Sequence, residues 1–505
     1  MASVLSQLMG QWMDVQGLLI FLCVLLLVKH LRDVLTNNMP PGPFPLPLIG
    51  NVLNIGFTDP LGSFQRRYGD VSTLYLGNNP CILLTGYESF KEAFVEQADI
   101  FTDRPYFPII DKLSKGKGLI FSSGHMWHQQ RRFALAALKY FGVGKKTLEN
   151  SILQECRFLC DSIQAERGLP FNPQHLVTDA VANIICGLVF GHRFEYDDHK
   201  FHLIQEYLDD VFQLPISNWG RLYNQFPTLM SMLPGKHQTA FASMSKLKPF
   251  LQEEIIKHKE ERDPSNPRDY IDCYLDEIEK VCKDSEAEFT EENLIYCVVD
   301  LFGAGTETTS NTLRWALLFM VKYPEVQEKV QSEIDQVIGQ TRQPLMDDRT
   351  NLPYTYAVLH EIHVRQHYYL HASQNGQQGH DSRRTSHFEG HFIFALCTIQ
   401  HFTPYEFNPA HFLDENGKFL KKDSFIPFSI GKRLYPGEQL ARMELFLFFT
   451  SLMQCFTFLP LEGRTLSLKG TIGVSSGPEP FQILCHSGRQ PIPRLRCFTT
   501  SPQKD

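Results

Sequence analysis

The sequence predicts one large domain, mainly α with minor β, behind an N-terminal apolar helix. From about residue 123 to 335, apolar residues recur with helical period. Two strand-like pieces, VSTLYLG and CILLTG, come before this region. Hydrophobic residues make up 43% of the 505 residues, which is enough for a large core. No internal repeat breaks the pattern, so one domain is favoured over several.

Charge and cysteine usage exclude several classes of function. The net charge of −8 gives no basic footprint of a nucleic-acid-binding protein. The twelve cysteines include no CxxC spacing, so neither a zinc ribbon nor a disulfide framework is indicated. We expect reduced thiols in a protein that faces the cytosol.

The first 51 residues predict a membrane anchor followed by a hinge. The run GLLIFLCVLLLV at 17–28 approaches the ~20 apolar residues that a spanning helix needs. Basic residues follow it, and such flanks stay on the cytoplasmic side. We therefore expect an uncleaved anchor at 1–32, with a cleaved signal peptide or a buried helix as alternatives. Five prolines at 39–51 predict a stiff hinge over 33–51, or a plain linker.

The segment GAGTETT at 303–309 is unusual for the middle of an apolar helix. Glycine costs about 1 kcal/mol per site there, so its presence needs a reason. Ala304 and Gly305 would let a flat ligand approach the backbone closely. Glu307 and Thr308 together form an acid and alcohol pair that can pass protons to a bound oxygen species. The alternative is a helix crossing that requires small residues.

The stretch FSIGKRLYPGEQLAR at 428–442 reads as a loop that enters a helix. Phe428, Arg433 and two glycines frame a single presented side chain. That side chain is Tyr435.

Four motifs in order resemble those of the cytochrome P-450 family, the haem-thiolate monooxygenases. They are PPGP at 40–43, WHQQR at 127–131, AGTETT at 304–309 and FSIGKR at 428–433. From the N-terminal helix to about residue 468, the chain resembles family 2, in particular its J subfamily. Stretches such as SSGHMWHQQRRF and DLFGAGTETTSNTLRWAL carry this similarity.

The resemblance implies a cytochrome P-450 fold, with about a dozen helices and small sheets around a buried haem (heme b, iron protoporphyrin IX). It implies a catalytic domain at 52–485 that is anchored to the endoplasmic reticulum membrane and faces the cytoplasm. NADPH-cytochrome reductase, with cytochrome b5 as a further donor, would supply electrons for the reaction with O2. The implied substrates are lipophilic: polyunsaturated fatty acids such as arachidonate, epoxidised or hydroxylated, and xenobiotics.

The resemblance also assigns roles to the residues around this haem. Trp127, Arg131 and Arg433 are the expected donors to its propionates, through charge-assisted bonds from the arginines. A solvated helix charge is the alternative for Arg131. Glu307 and Thr308 are the expected oxygen-activating pair.

Five more residues receive roles around the haem or at the protein surface. Phe428 is expected on the proximal side, and Phe302 and Ala304 are expected to face the distal pocket. Arg132 and Lys432 are candidates for the surface that receives an acidic reductase, and the alternative is that both are simply solvated.

The sequence departs from the family at the iron ligand. Tyr435 stands where the family has the cysteine whose thiolate ligates iron and favours O–O cleavage. Tyrosine has a pKa near 10, against about 8.5 for cysteine, and its phenolate is a harder donor. Tyrosine does ligate haem in catalases, so Tyr435 as metal ligand stays open.

A second departure affects the helix that should carry Glu-x-x-Arg. Glu361 is present as the structural glutamate, but Val364 stands at the arginine position and Arg365 comes one place late. Ordinary codons for 365–376, read one base later, give GNIITFMPPRTV, and the same shift over 380–391 gives TTAGGHLILRGT. Both shifted peptides resemble the sequence that members of the family have at this place.

We therefore interpret the segment from Arg365 to about residue 400 as out-of-frame translation. A metal-binding tract is the alternative, because seven histidines fall between 363 and 401. The polar composition of the out-of-frame segment predicts a poorly ordered loop at about 366–400. The tail at 486–505 also leaves the family pattern. Three functions stay open: a monooxygenase, a catalytically dead relative, and a haem or lipid binder without oxygenase chemistry.

Overall fold

The computed structural model describes residues 2–36, 39–47, 49–51, 62–77, 79–282, 287–366, 371–374, 392–395, 406–471 and 475–487. Within these ranges most of the chain is helical. The α-helices are α1 (Ala2–Thr36), α2 (Gly62–Tyr68), α3 (Tyr87–Lys91), α4 (Pro108–Ser114), α5 (Gly124–Tyr140), α6 (Lys146–Ala165), α7 (Gln174–Val189), α8 (His199–Gln213), α9 (Asn218–Gln225), α10 (Pro227–Met232), α11 (Lys236–Glu261), α12 (Tyr270–Val281), α13 (Glu291–Lys322), α14 (Pro324–Val337), α15 (Pro353–Gln366) and α16 (Glu438–Cys455). A π-helical turn at Glu92–Glu96 and 3-10 turns at Met346–Asn351 and Pro409–Phe412 complete the helical segments.

The described strands are short and form three small sheets. They are β1 (Val71–Leu76), β2 (Asn79–Leu84), β3 (His371–Gln374), β4 (Phe392–Ala395), β5 (Thr457–Leu459), β6 (Gly470–Thr471), β7 (Gly477–Pro478) and β8 (Leu484–His486). The largest sheet has the order β1-β2-β4-β3, and β5 pairs with β8 and β6 with β7. The predicted fold class, mainly α with minor β, is confirmed.

Two strands come from the segment that is predicted to be a poorly ordered loop at about 366–400. β4 pairs in parallel with β2, with Ile82 opposite Ile393, and β3 pairs antiparallel with β4. The prediction of a loop throughout 366–400 is therefore wrong for β3 and β4. β4 is the apolar run FIFA, which suits a strand inside a sheet. The histidines of a metal-binding tract lie largely outside the described residues, as does the tail from residue 488.

The chain divides into two compact units. One comprises Met1–Pro105 with Leu370–Thr398, and the other comprises Tyr106–Tyr369 with Ile399–Asp505. The first contains α1 to α3 and the four-stranded sheet. The second contains α4 to α16 and all of the candidate site residues.

Helix α1 covers the predicted anchor and continues beyond it to Thr36. Side chains from Leu18 to Val28 are largely exposed. Across the described residues, however, no helix has the combined length and apolar character that crossing a membrane requires.

Helix α13 forms the centre of the second unit. Thr290 caps its first turn by accepting a hydrogen bond from the amide of Asn293, and Lys322 lies in its last turn. The helix ends at Lys322, and the next residue, Tyr323, precedes a proline and therefore disfavours the helical conformation. Its apolar side chains are buried on nearly every face, and it packs against α7, α15 and α16.

Candidate functional site

The loop before α16 is held in one conformation by its own backbone. Ser429 and Gly431 adopt left-handed conformations, with φ of 64° and 79°. The amide of Leu434 donates to the carbonyl of Gly431 at 3.1 Å, and the amide of Tyr435 donates to the carbonyl of Phe428 at 3.0 Å. The loop therefore presents the side chain of Tyr435 in a fixed direction, as the sequence predicts.

The Tyr435 side chain reaches across to helix α13. Its hydroxyl donates to the carbonyl oxygen of Ala304 at 2.8 Å. The hydroxyl of Thr308 donates to the same oxygen, also at 2.8 Å. Desolvation raises the pKa of Tyr435 to about 12, and the nearby Thr308 hydroxyl offsets only part of this rise. Tyr435 is therefore a neutral phenol at neutral pH.

The three predicted propionate donors lie together at the N-terminal end of α5. The indole of Trp127 is buried, and the guanidinium carbon of Arg433 lies 3.8 Å from its ring centroid. The guanidinium of Arg131 lies 5.7 Å from the same centroid. Arg433 donates to the carbonyl of Ser122 at 2.7 Å, and Arg131 donates to the carbonyl of Leu434. Burial lowers the pKa of Arg131, so this side chain is not a solvated helix charge.

The side chains of Glu307 and Thr308 lie on different sides of α13. Ala304 and Thr308 lie one turn apart and face Tyr435, whereas Glu307 lines a cavity of about 210 Å³ between α13 and α8. The amide of Gln213 donates to the Glu307 carboxyl at 3.3 Å. Phe302, expected in the distal pocket beside Ala304, lines this cavity instead.

The acid groups in this cavity are easily protonated. Desolvation, with the nearby carboxyl of Asp209 adding to it, raises the pKa of Glu307 to about 7. Desolvation also raises the pKa of Asp209 to about 6. Sequence reasoning missed Asp209 and Gln213. Their i, i+4 spacing on α8 puts them on one face, but only the fold places that face against Glu307.

The glycines of the GAGTETT segment are explained by helix packing. A Cβ on Gly303 would lie 2.1 Å from the ring of Phe212, and one on Gly305 would lie 2.5 Å from the side chain of Ile185. Phe212 belongs to α8 and Ile185 to α7. The prediction that Gly305 admits a flat ligand is therefore wrong, and the helix-crossing alternative accounts for both glycines.

Glu361 has a partner other than the missing arginine. Its carboxyl is fully buried and accepts a hydrogen bond from the amide of Asn408 at 3.2 Å. Nδ1 of His411 lies 3.1 Å from its other oxygen. His411 belongs to the 3-10 turn Pro409–Phe412, so the pair ties this turn to α15.

Three predicted positions lie at the edges of the site. The Phe428 ring lies 6.4 Å from the Tyr435 ring, and the guanidinium of Arg442 lies 5.0 Å from the Phe428 centroid. Arg132 and Lys432 are both exposed. The roles of these residues stay predictions.

Comparison with known proteins identifies the family. The sequence pattern described as Cytochrome P450 matches residues 40–372 and 392–485. The chain belongs to the cytochrome P450 family. It is 45% identical to cytochrome P450 2J2 of Homo sapiens over 470 residues, which are 91% of this chain and 93% of the human protein. It is 44% identical to cytochrome P450 2J3 of Rattus norvegicus over 479 residues, 93% of each chain.

A third relative, cytochrome P450 2C16 of Oryctolagus cuniculus, is 41% identical over 484 residues, which are 92% of this chain and 98% of the rabbit protein. These similarities make the chain a P450 of family 2 with J-like character. The family pattern does not match 373–391, which lies inside the segment interpreted as out of frame. The reading-frame interpretation itself stays a prediction.

The family consists of monooxygenases whose cofactor is haem b, and this P450 chain fits that cofactor only in part. Trp127, Arg131 and Arg433 lie together and offer the donors that propionates need. Tyr435 does not fit, because its side chain joins the loop to the carbonyl of Ala304. A porphyrin between these two elements requires the phenol to leave.

Proposed function

We propose that the site is built for haem-dependent oxygenation of lipophilic substrates, with O2 as oxidant. The substrates are polyunsaturated fatty acids such as arachidonate, and xenobiotics. NADPH-cytochrome reductase, with cytochrome b5 as a further donor, supplies the electrons. Membership of the P450 family and similarity to J-type relatives support this proposal.

The observation that carries the proposal is the arrangement of Glu307 and Thr308 on α13. Thr308 places its hydroxyl on the Ala304 carbonyl, and Glu307 places its carboxyl on another side of α13, in the cavity beside α8. An acid group with a pKa about 7 gains and loses protons readily near neutral pH. Glu307 would therefore hold the proton, and Thr308 would present a hydroxyl on the side that faces Tyr435.

The other predicted residues receive roles that fit this function. Trp127, Arg131 and Arg433 would hold the propionates, and Phe428 would pack on the proximal side. Ala304 would border the distal side. Glu361 would keep the turn that precedes the loop in place through His411.

We place the protein at the endoplasmic reticulum membrane, with the catalytic domain facing the cytoplasm. The exposed apolar side chains from Leu18 to Val28 of α1 support attachment through 1–32. Arg132 and Lys432 are exposed and would meet an acidic reductase.

A second candidate function is favoured by Tyr435. The chain would then be a catalytically silent relative, or a haem or lipid binder without oxygenase activity. A tyrosine provides no thiolate, and the electron donation from sulfur that favours O–O cleavage is lost. The hydrogen bond from Tyr435 to Ala304 adds a second obstacle, because it ties the side chain to α13.

The carbon-monoxide difference spectrum of the reduced protein separates these candidates. We expect the unchanged chain to lack the long-wavelength Soret band of thiolate-ligated haem, and the Tyr435→Cys variant to show it. Adding arachidonate to the loaded variant should then shift its Soret band as substrate binds. A loaded variant that responds to neither arachidonate nor any lipophilic drug would reject the proposed substrate class.

A further inference from the structure

Tyr435 is held at both its backbone and its side chain. At one end, its amide donates to the carbonyl of Phe428 at 3.0 Å and fixes the loop. At the other end, its hydroxyl donates to the carbonyl of Ala304 at 2.8 Å. The backbone of Tyr435 is therefore fixed within the loop, and its side chain reaches from the loop to α13, where the hydroxyl makes the hydrogen bond.

The surroundings hold the phenol in this position. The Thr308 hydroxyl shares the Ala304 carbonyl with it, so the two hydroxyls meet at one acceptor. On the loop side, the ring lies 3.4 to 3.6 Å from the position that a Cβ on Gly437 would occupy, an ordinary packing distance. Ala304, Thr308 and Tyr435 nevertheless keep partly exposed surface. The ring thus lies between the loop and α13 without being fully enclosed by its neighbours.

We infer that the Tyr435 side chain is an internal plug that keeps a tetrapyrrole out of the space between the loop and α13. The inference rests on the proposed function, because that function defines haem as the excluded ligand. It goes further than the loss of a thiolate ligand. A missing ligand weakens haem binding at iron, whereas a plug blocks the porphyrin ring itself.

These two causes are separable by substitution at one position. Tyr435→Phe removes the hydroxyl but keeps the ring, and Tyr435→Ala removes both. Neither variant offers an iron ligand. If only the ligand matters, the Phe and Ala variants bind haem equally weakly. If the ring is a plug, the Ala variant binds haem more tightly than the Phe variant does.

The experiment titrates haemin into four versions of the full chain: unchanged, Tyr435→Phe, Tyr435→Ala and Tyr435→Cys. Soret absorbance and quenching of tryptophan fluorescence report binding. We expect the Ala variant to bind haemin about tenfold or more tightly than the Phe variant and the unchanged chain. The Cys variant should bind at least as tightly as Ala. Tyr140→Ala, at a side chain that is 58% exposed, controls for adventitious binding and should leave the affinity unchanged.

Three results would overturn the inference. They are equal affinities for the Phe and Ala variants, an unchanged chain that binds as tightly as the Cys variant, and folded Ala and Cys variants that bind no haemin. Far-UV circular dichroism checks folding, and Tyr435→Val, which also lacks the ring and offers no iron ligand, takes the place of Ala in the comparison with Phe if Ala unfolds. Failure of the proposed function would be seen in a different measurement: the haem-loaded Cys variant would show no spectral response to lipophilic substrates.

Discussion

Removal of His411 should destabilise the second unit through Glu361. The Glu361 carboxyl is fully buried and lies 3.1 Å from Nδ1 of His411, whose side chain is only 11% exposed. A hydrogen bond to a charged group contributes about 1.5–3 kcal/mol. Losing one partner of a buried pair costs about 3–5 kcal/mol, because the remaining charge stays buried. Glu361 keeps its bond from Asn408, so we expect His411→Ala to lower the free energy of unfolding by about 3 kcal/mol.

Urea denaturation followed by tryptophan fluorescence measures this loss, and a double-mutant cycle with Glu361→Gln isolates the pair. We expect a coupling energy of about 2 kcal/mol. The matched control is Lys146→Ala. Lys146 pairs with Asp347 at 3.8 Å, but these side chains are 85% and 84% exposed, so the loss should stay below about 0.5 kcal/mol. Additive effects of His411→Ala and Glu361→Gln would refute the reasoning.

Three further predictions concern titration and packing. Because the folded pKa of Glu307 lies above its usual value, its contribution to stability is present below about pH 4.5 and is lost as the pH rises through about 7. Between these limits, the free energy of unfolding of Glu307→Gln, measured in urea melts, should therefore rise by about 2 kcal/mol relative to that of the parent, after allowance for solvent screening. A difference between variant and parent that does not change with pH would contradict this. Burial lowers the pKa of His258, but its hydrogen bond to Asp269 at 2.8 Å, the charge of that carboxylate and the bond to the Glu254 carbonyl together raise it overall. The pair therefore stabilises the fold fully below about pH 6.5 and less as pH rises through the raised value, so a His258→Gln penalty that does not shrink at alkaline pH would refute this. Gly303→Ala should lower the melting temperature, because the new Cβ meets the ring of Phe212. The control is Gly187→Ala, where no atom lies within 4 Å of the new Cβ, and it should leave the melting temperature unchanged or raise it. A lower melting temperature in both variants would contradict the packing argument.

Local signals in the sequence predicted the central helix and part of the site well. An apolar helix is predicted around the GAGTETT segment at 303–309, and α13 spans Glu291–Lys322, because a threonine cap and a proline fix its ends. Trp127 and Arg433 lie together as predicted, although 306 positions separate them in the sequence. This proximity is predicted from the resemblance to the family, because the periodicity of a sequence does not indicate contacts between distant segments.

Contacts between distant segments could not be predicted in the same way. Nothing in the sequence gives the distance from the loop to α13, which lets the Tyr435 hydroxyl reach the carbonyl of Ala304. The same limit applies to Gly303, whose need for space comes from Phe212 on another helix. β4 was missed because an apolar tetrapeptide inside a polar segment is too short to show a strand period.

The haem content of the unchanged chain tests the central claim most directly. The full-length protein would be expressed with a haem precursor, purified, and assayed for haem per chain as the pyridine haemochrome. Because Tyr435 bonds to the Ala304 carbonyl across the space between the loop and α13, we predict far less than one haem per chain. Recovery of one haem per chain would contradict the account.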